Sequence, residues 1–198
     1  MLKDFAAAFR PAIAMTGLFA VLLGLAYPAA ITAVAQLAFP WQANGSLSVI
    51  HGQVIGSDLI GQTFASDRYF HGRPSAAGSG YDAAASAGSN LGPASQALHD
   101  RVVAALKSMP SSPGIPVPPD LVATSASGLD PHISPEAALF QVARVAATRG
   151  LPEAQVRALV LHEAEGPLIG VLGEPRVNVL RLNTALDALG QKPAVSSP

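Results

Sequence analysis

The sequence predicts a single N-terminal transmembrane α-helix followed by a small α+β extracytoplasmic domain. Three observations lead there. Only 13% of the 198 residues are charged while 49% are hydrophobic, about half the charged share of an ordinary soluble domain. Between Arg10 and Asp58 no acidic or basic side chain occurs except His51, so the most apolar stretch lies in a gap without charge. After Trp41 the pattern changes to short apolar runs broken by Gly, Pro, Ser and Asn, the texture of a folded domain with many turns. The hydrophobicity excludes a disordered chain. A sequence pI near 6.5 without clustered Lys and Arg leaves no electrostatic footprint for nucleic acid. The absence of cysteine removes disulfides, CxxC metal sites and thiol nucleophiles.

The uncharged run from Ala12 to Phe39 exceeds the about 20 residues that cross a hydrocarbon core. Pro11 is placed at the first turn of this helix, where its missing N–H has no partner to lose. Pro28 lies inside the run and is expected to kink the helix or start a new segment. Phe5, Phe9 and Trp41 flank the run as interfacial anchors. Lys3 and Arg10 precede it, and no Lys or Arg follows until Arg68. The positive-inside rule therefore puts residues 1–11 in the cytoplasm, 12–39 in the membrane and 40–189 outside, with 190–198 as a disordered tail. A cleaved signal peptide is the competing reading, because Ala33-Val34-Ala35 offers an A-x-A site. The apolar run is much longer than the h-region of such a peptide, which favours an uncleaved anchor. Thr16, Ala20 and Gly24 recur every four residues, giving one helix face of small side chains that a partner helix could approach closely. The alternative is that small residues are simply frequent in membrane helices.

In the exported part, Ser46 to Ile50 and Gln53 to Ile55 flank His51-Gly52 and predict a two-strand hairpin. Phe64 to Pro93 is a long Gly/Ser/Ala-rich stretch without periodicity, and its interleaved aromatics argue for order. Leu98, Val102, Ala105, Leu106 and Met109 predict an amphipathic helix over Ser95 to Ser108. Five prolines between Met109 and Asp120 mark an extended connection. Ser134-Pro135-Glu136 starts a helix with a hydroxyl cap, a first-turn proline and an acid against the dipole. Its apolar side is Leu139, Val142, Ala143 and Ala146, and Gly150 stops it. A second helix opens at Pro152-Glu153, carries Val156, Leu159 and Val160, and ends at Gly166-Pro167. Leu168 to Leu172 and Arg176 to Leu180 predict two strands around Gly173-Glu174-Pro175, before a short helix from Leu182 to Leu189.

Catalytic templates find no match. GxxxxGK[ST], HExxH, GxSxG and SxxK are absent, which removes the common triphosphate, zinc-protease and serine-nucleophile signatures. His162-Glu163 reads as a solvated helix face, and no metal site is expected. What remains are polar loops. Tyr69, Phe70, His71 and Arg73 combine aromatics, a fixed cation and a bend at Gly72, which suits a docking or anion-contacting loop. The alternative is that Tyr69 and Phe70 plug the core while Arg73 pairs with a nearby acid. Ser89 and Asn90 sit in a turn rich in donors, and Ser125 to Asp130 leads into the helix at Ser134, with backbone N–H groups that could hold an anion or cap the helix.

Taken together these loops resemble a known family. FHGRPSA (70–76), GSNLGP (88–93), SASGLDPHISPEAA (125–138), RVA (144–146) and GEPRVNVLRLNTALDAL (173–189) are similar, in order and spacing, to the C subunit of the bacterial Kdp potassium-transporting P-type ATPase. The resemblance implies a non-catalytic accessory subunit of a high-affinity, ATP-driven potassium uptake complex in the inner membrane. Implied partners are a potassium-channel-like pore subunit, an ATP-hydrolysing pump subunit and a small membrane peptide. Implied roles are assembly of pore and pump, and a catalytic-chaperone role that raises the pump subunit's affinity for ATP. ATP is thus a cofactor by resemblance alone. The candidate partner contacts are Thr16, Ala20, Gly24, Tyr69, Phe70, His71, Arg73, Ser89, Asn90 and Asp130. A membrane-anchored exported enzyme or ligand-binding domain is the competing function, resting on the long loop from Phe64 to Pro93.

Overall fold

The computed structural model describes residues 2–109, 116–167 and 169–190. The chain divides into two compact units, Met1–Leu47 and Ser48–Pro198.

The first unit is helical. Helix α1 (Leu2–Val21) passes through a π-turn (Leu22–Ala26) into α2 (Tyr27–Ala38), and a short α3 (Pro40–Ala43) follows. Because α1 begins at Leu2, Pro11 lies inside the helix rather than at its first turn. Pro28 stands in the first turn of the new helical segment α2, which continues the helix through the π-turn without a break. In regular α geometry its ring would strike the carbonyl of Gly24, four residues back. The chain is wound more loosely there, and Tyr27 N–H bonds Leu22 O, five residues back. Within the helix, Ala7–Ala38 is a candidate membrane span of 32 residues, none of it buried in the protein. At about 1.5 Å per residue it exceeds the hydrocarbon thickness of about 30 Å. Its C-terminal end is tied off locally. The amide side chains of Gln36 and Asn44 bond each other at 3.3 and 3.1 Å, and Trp41 Nε1 donates to Leu47 O at 3.1 Å. The indole N–H is thus used to hold the chain's exit.

The second unit begins with the expected hairpin, whose first strand starts at the last residue of the helical unit: β1 (Leu47–Ile50) and β2 (Gln53–Ser57). Its two turn residues, His51 and Gly52, both have positive φ, 50° and 79°, the type I′ geometry that matches strand twist. Helix α4 (Gln96–Ser108) follows the long loop. Beyond it come β3 (His132–Ile133), α5 (Pro135–Arg149), α6 (Glu153–Glu163), β4 (Ala164–Glu165), β5 (Arg176–Asn178) and α7 (Val179–Gly190). The order β3-β5-β4 makes an antiparallel sheet with Ile133 opposite Val177 and Glu165 opposite Arg176. Sheet and helices enclose one core of Ile133, Val142, Val145, Val156, Val160, Val177, Leu182 and Leu186, with Phe70 inserted from the loop. Ser134 caps α5 by accepting from Ala137 N–H at 3.2 Å, and Gly150 ends it at φ +66°.

Several expected elements differ. Of the strand expected over Leu168 to Leu172, Leu168 lies outside the described residues and 169–172 form no strand: Ile169 and Val171 are more than four-fifths exposed, and β5 pairs instead with two two-residue strands. Helix α6 stops at Glu163, so Glu165 lies on β4 rather than on a helix, paired with Arg176 and Arg181. On α5 Ala143 is exposed, whereas Gln141 and Val145 are buried. No residue of α4 is fully buried and Leu106 faces solvent. The last helix is longer than expected at its start. Of the proline-rich connection only the end is described, closing in a 3-10 turn at Pro119–Leu121. The expected tail beyond Gly190 lies outside the described residues.

Candidate functional site

The loop that carries the FHGRPSA block has no strand or helix of its own, so its backbone polar groups need other partners. Side chains supply them. Asn183 of α7 accepts from Phe70 N–H at 2.8 Å and donates to Phe70 O at 2.9 Å. Gln141 of α5 does the same for His71, at 2.8 and 3.1 Å. Each amide side chain acts as a neighbouring strand would. Arg144 donates to the carbonyls of Asp67 and Tyr69 and to Gln141 Oε1, and Arg149 donates to Arg68 O at 2.6 Å. Arg149 also pairs with Asp187 at 2.7 Å and lies 4.8 Å above the Tyr69 ring, while the Tyr69 hydroxyl donates to the same carboxylate. Phe70 is wholly buried. The His71 ring bonds the Ser66 carbonyl at 3.1 Å; burial pushes its pKa down, the bond to Ser66 opposes this, and the Arg144 charge adds to the lowering. Tyr69, Phe70 and His71 thus serve the packing of the domain.

Arg73 is placed differently. Its guanidinium lies 3.4 Å from Asp130 and 3.9 Å from Asp120, and its Nε reaches Ala123 O only at 3.4 Å. Asp130 accepts from His132 N–H at 3.0 Å and faces the His132 ring at 3.5 Å. Burial alone would raise its pKa, but the His132 hydrogen bonds and the Arg73 charge outweigh it and hold the carboxyl below its ordinary range. Asp120 is fixed by Ser134 N–H at 2.7 Å. Around them two loops are joined. Ser75 Oγ donates to Gly128 O at 2.6 Å, Tyr81 OH to Arg73 O at 2.6 Å, and Ala87 N–H to Ser127 O at 3.0 Å. Gly128, at φ +67°, would bring a Cβ within 2.6 Å of Ala87 O, so only glycine permits this closure.

The joined loops wall a surface depression of about 530 Å³, with Arg73, Ser125, Ser127 and Asp130 on its polar side and Leu59 and Ile60 on its apolar side. Among the described residues no group of three metal-ligating side chains occurs. Arg73 and Asp130, far apart in sequence, meet here. Ser89 is half-buried and Asn90 exposed, and neither lines the depression. Thr16, Ala20 and Gly24 belong to the helical unit, where they are exposed, and a Cβ on Gly24 would meet nothing within 4 Å. Sequence reasoning missed Leu59 and Ile60 at the depression, Asp120 as the second carboxylate near Arg73, and Gln141 and Asn183 under the loop. The signal for the last two was present: each interrupts an apolar helical stripe, between Ala138 and Val145 and between Val179 and Leu186.

The model of the family described as the K+-transporting ATPase, c chain, matches residues 9–188. The chain is 59% identical over 183 residues to a potassium-transporting ATPase KdpC subunit of Caulobacter vibrioides, covering 90% of this chain and 92% of that protein. It is 57% identical over 181 residues to one from a Caulobacter sp., covering 90% and 92%. Against one from Nitratidesulfovibrio vulgaris it is 56% identical over 184 residues, covering 91% and 93%.

Proposed function

The chain belongs to the family of the c chain of the K+-transporting ATPase, and from that premise we propose that it is the accessory subunit that assembles the pore and pump subunits and shapes the potassium entrance. The observation that carries this is the 32-residue apolar helix of which nothing is buried within the chain. A lone span cannot enclose a pore, and its side chains need lipid or other helices around them. The N-terminus lies in the cytoplasm of an inner-membrane complex and residues 40–189 lie outside, as Lys3 and Arg10 direct. The chain has no catalytic site of its own in this reading. For ATP the polar loops offer one guanidinium beside two carboxylates, a poor cradle for a triphosphate, so the chaperone role would need nucleotide contacts from the pump subunit.

Purification in mild detergent tests the reading: the chain should bring larger membrane proteins with it, and recovery of the chain alone would refute it. A reporter active only outside the cytoplasm should work when fused after Leu189; activity only inside would reverse the topology. Gly24→Leu should leave membrane insertion intact, since no atom of this chain obstructs the new side chain, while reducing recovery of the partners. Undiminished recovery would show that the face of Thr16, Ala20 and Gly24 is not used.

A further inference from the structure

We propose that the β1–β2 hairpin rests in the interfacial layer of the bilayer that the preceding helix enters, with Leu47, Val49 and Val54 against the headgroup–acyl boundary. This goes beyond assembly and rests on reading Ala7–Ala38 as a membrane span. A strand directs alternate side chains to opposite faces, and the two-residue turn at His51-Gly52 sets Val49 opposite Val54. Leu47, Val49 and Val54 therefore share one face. They are 42%, 57% and 59% exposed, whereas Ser48 and Ile55 on the other face are half-buried. The base of the apolar face meets the domain at Gly56, which lies under the Gln62 side chain.

Three observations name lipid as the occupant. The first is reach. Trp41 Nε1 donates to Leu47 O at 3.1 Å, which ties the start of β1 to the turn just past Ala38. Leu47 is the last residue of the helical unit, and two residues of extended chain, about 7 Å, lead from it to Val49. That is no more than the depth of one interfacial layer, about 5 to 7 Å. The second observation is charge. The run without Asp, Glu, Lys or Arg does not stop where the span stops but continues to Ser57. The sheet has two strands, so each has an outer edge, and in water such edges are ordinarily guarded by charged side chains, Lys above all. These guards are missing here. Asp58, the acid that ends the run, is buried and held by Ser48 and Arg181. The third observation is the chemistry of the face. Between base and turn it presents only aliphatic side chains, with no donor or acceptor to fix a register. A specific protein interface carries about one hydrogen bond per 100–200 Å², whereas fluid lipid requires none.

The unaltered complex, reconstituted in zwitterionic phosphatidylcholine vesicles with a diazirine near the carboxyl end of one acyl chain, tests this without any substitution. On illumination, carbene insertion should mark residues 47–57 as well as the span. A marked span with an unmarked hairpin would overturn the proposal; an unmarked span would instead refute the membrane reading on which it rests. The chain has no cysteine, so Val49→Cys and Val54→Cys each take a single nitroxide label in the full chain in the same vesicles. At both positions the rate of collision with oxygen, relative to that with a water-soluble nickel chelate, should be about fivefold higher than at a labelled Leu161→Cys on α6, because the polar chelate is excluded from the acyl boundary. Equal ratios at the three positions would overturn the proposal. The labelled chains assembled into the complex should keep the difference; slow collision with both reagents would mean that a polypeptide covers the face, which overturns it too.

Discussion

Residues 67–71 and Arg73 belong to one loop, but their polar groups are held in opposite ways. In the first segment every carbonyl from Asp67 to His71 accepts from a side chain of α5 or α7, at 2.6 to 3.1 Å. At Arg73 the guanidinium contacts are 3.4 to 3.9 Å long and open onto a depression. The first segment therefore contributes to folding and the second to the surface. A block that reads in sequence as one recognition motif is physically two things.

That division makes the largest effect fall on the buried half. Phe70→Ala should cost about 4 kcal/mol, the range for removing a buried aromatic ring from a packed core. Asn183→Ala comes next, at about 3 kcal/mol, because it strips both the N–H and the C=O of Phe70 of their partners in a buried place. Urea unfolding of the full chain in detergent measures both. A loss below about 1 kcal/mol for either would mean that the loop is not anchored as described.

How much of this was legible follows the same line. The cap at Ser134, the stop at Gly150 and the hairpin turn at His51-Gly52 were readable because each depends on residues adjacent in sequence. The sheet was not. Strands β3 and β4 are two residues long, too short to show a period, while the apolar run ending at Val171 and Leu172 imitates a strand and is in fact exposed. For the same reason the sequence could place Arg73 and Asp130 in polar loops but not bring them together. Their meeting depends on Gly128 and on bonds spanning some 50 positions. Gln141 and Asn183 were hidden because a polar residue on a helix ordinarily reads as its solvated face.

A smaller effect concerns pH and sharpens the view of the anchored half. Half-buried His71 has its pKa lowered chiefly by burial. The unfolded imidazole binds a proton near 6.5, the folded one only at lower pH. Between those two points the unfolded chain holds more protons, so the stability His71 confers is complete above about pH 6.5 and declines as pH falls through the folded value. The unfolding midpoint should therefore drop between about pH 7.5 and 5.5, and His71→Gln should flatten that slope. An unchanged slope in the variant would assign it to other groups.

The smallest effect on stability is expected at Arg73, and its sign elsewhere is the useful part. Its side chain is one-quarter exposed and its ion pairs are long, so Arg73→Met should change stability by less than about 1 kcal/mol, as for other partly exposed pairs. Arg149 gives the contrast. It is 5% exposed and pairs at 2.7 Å, so Arg149→Met should cost about 2 kcal/mol or more through the carbonyl and carboxylate left behind. At the surface the two variants should also part. Removing Arg73 takes away the one positive charge beside Asp130 and Asp120 while leaving their bonds to His132 and Ser134 in place. If a partner meets this wall with a basic group, the complex should stay together to higher salt than the unaltered one, because the wall has become more negative. If Arg73→Met instead releases the partners at lower salt, the guanidinium itself is the contact and the group it meets is an acid.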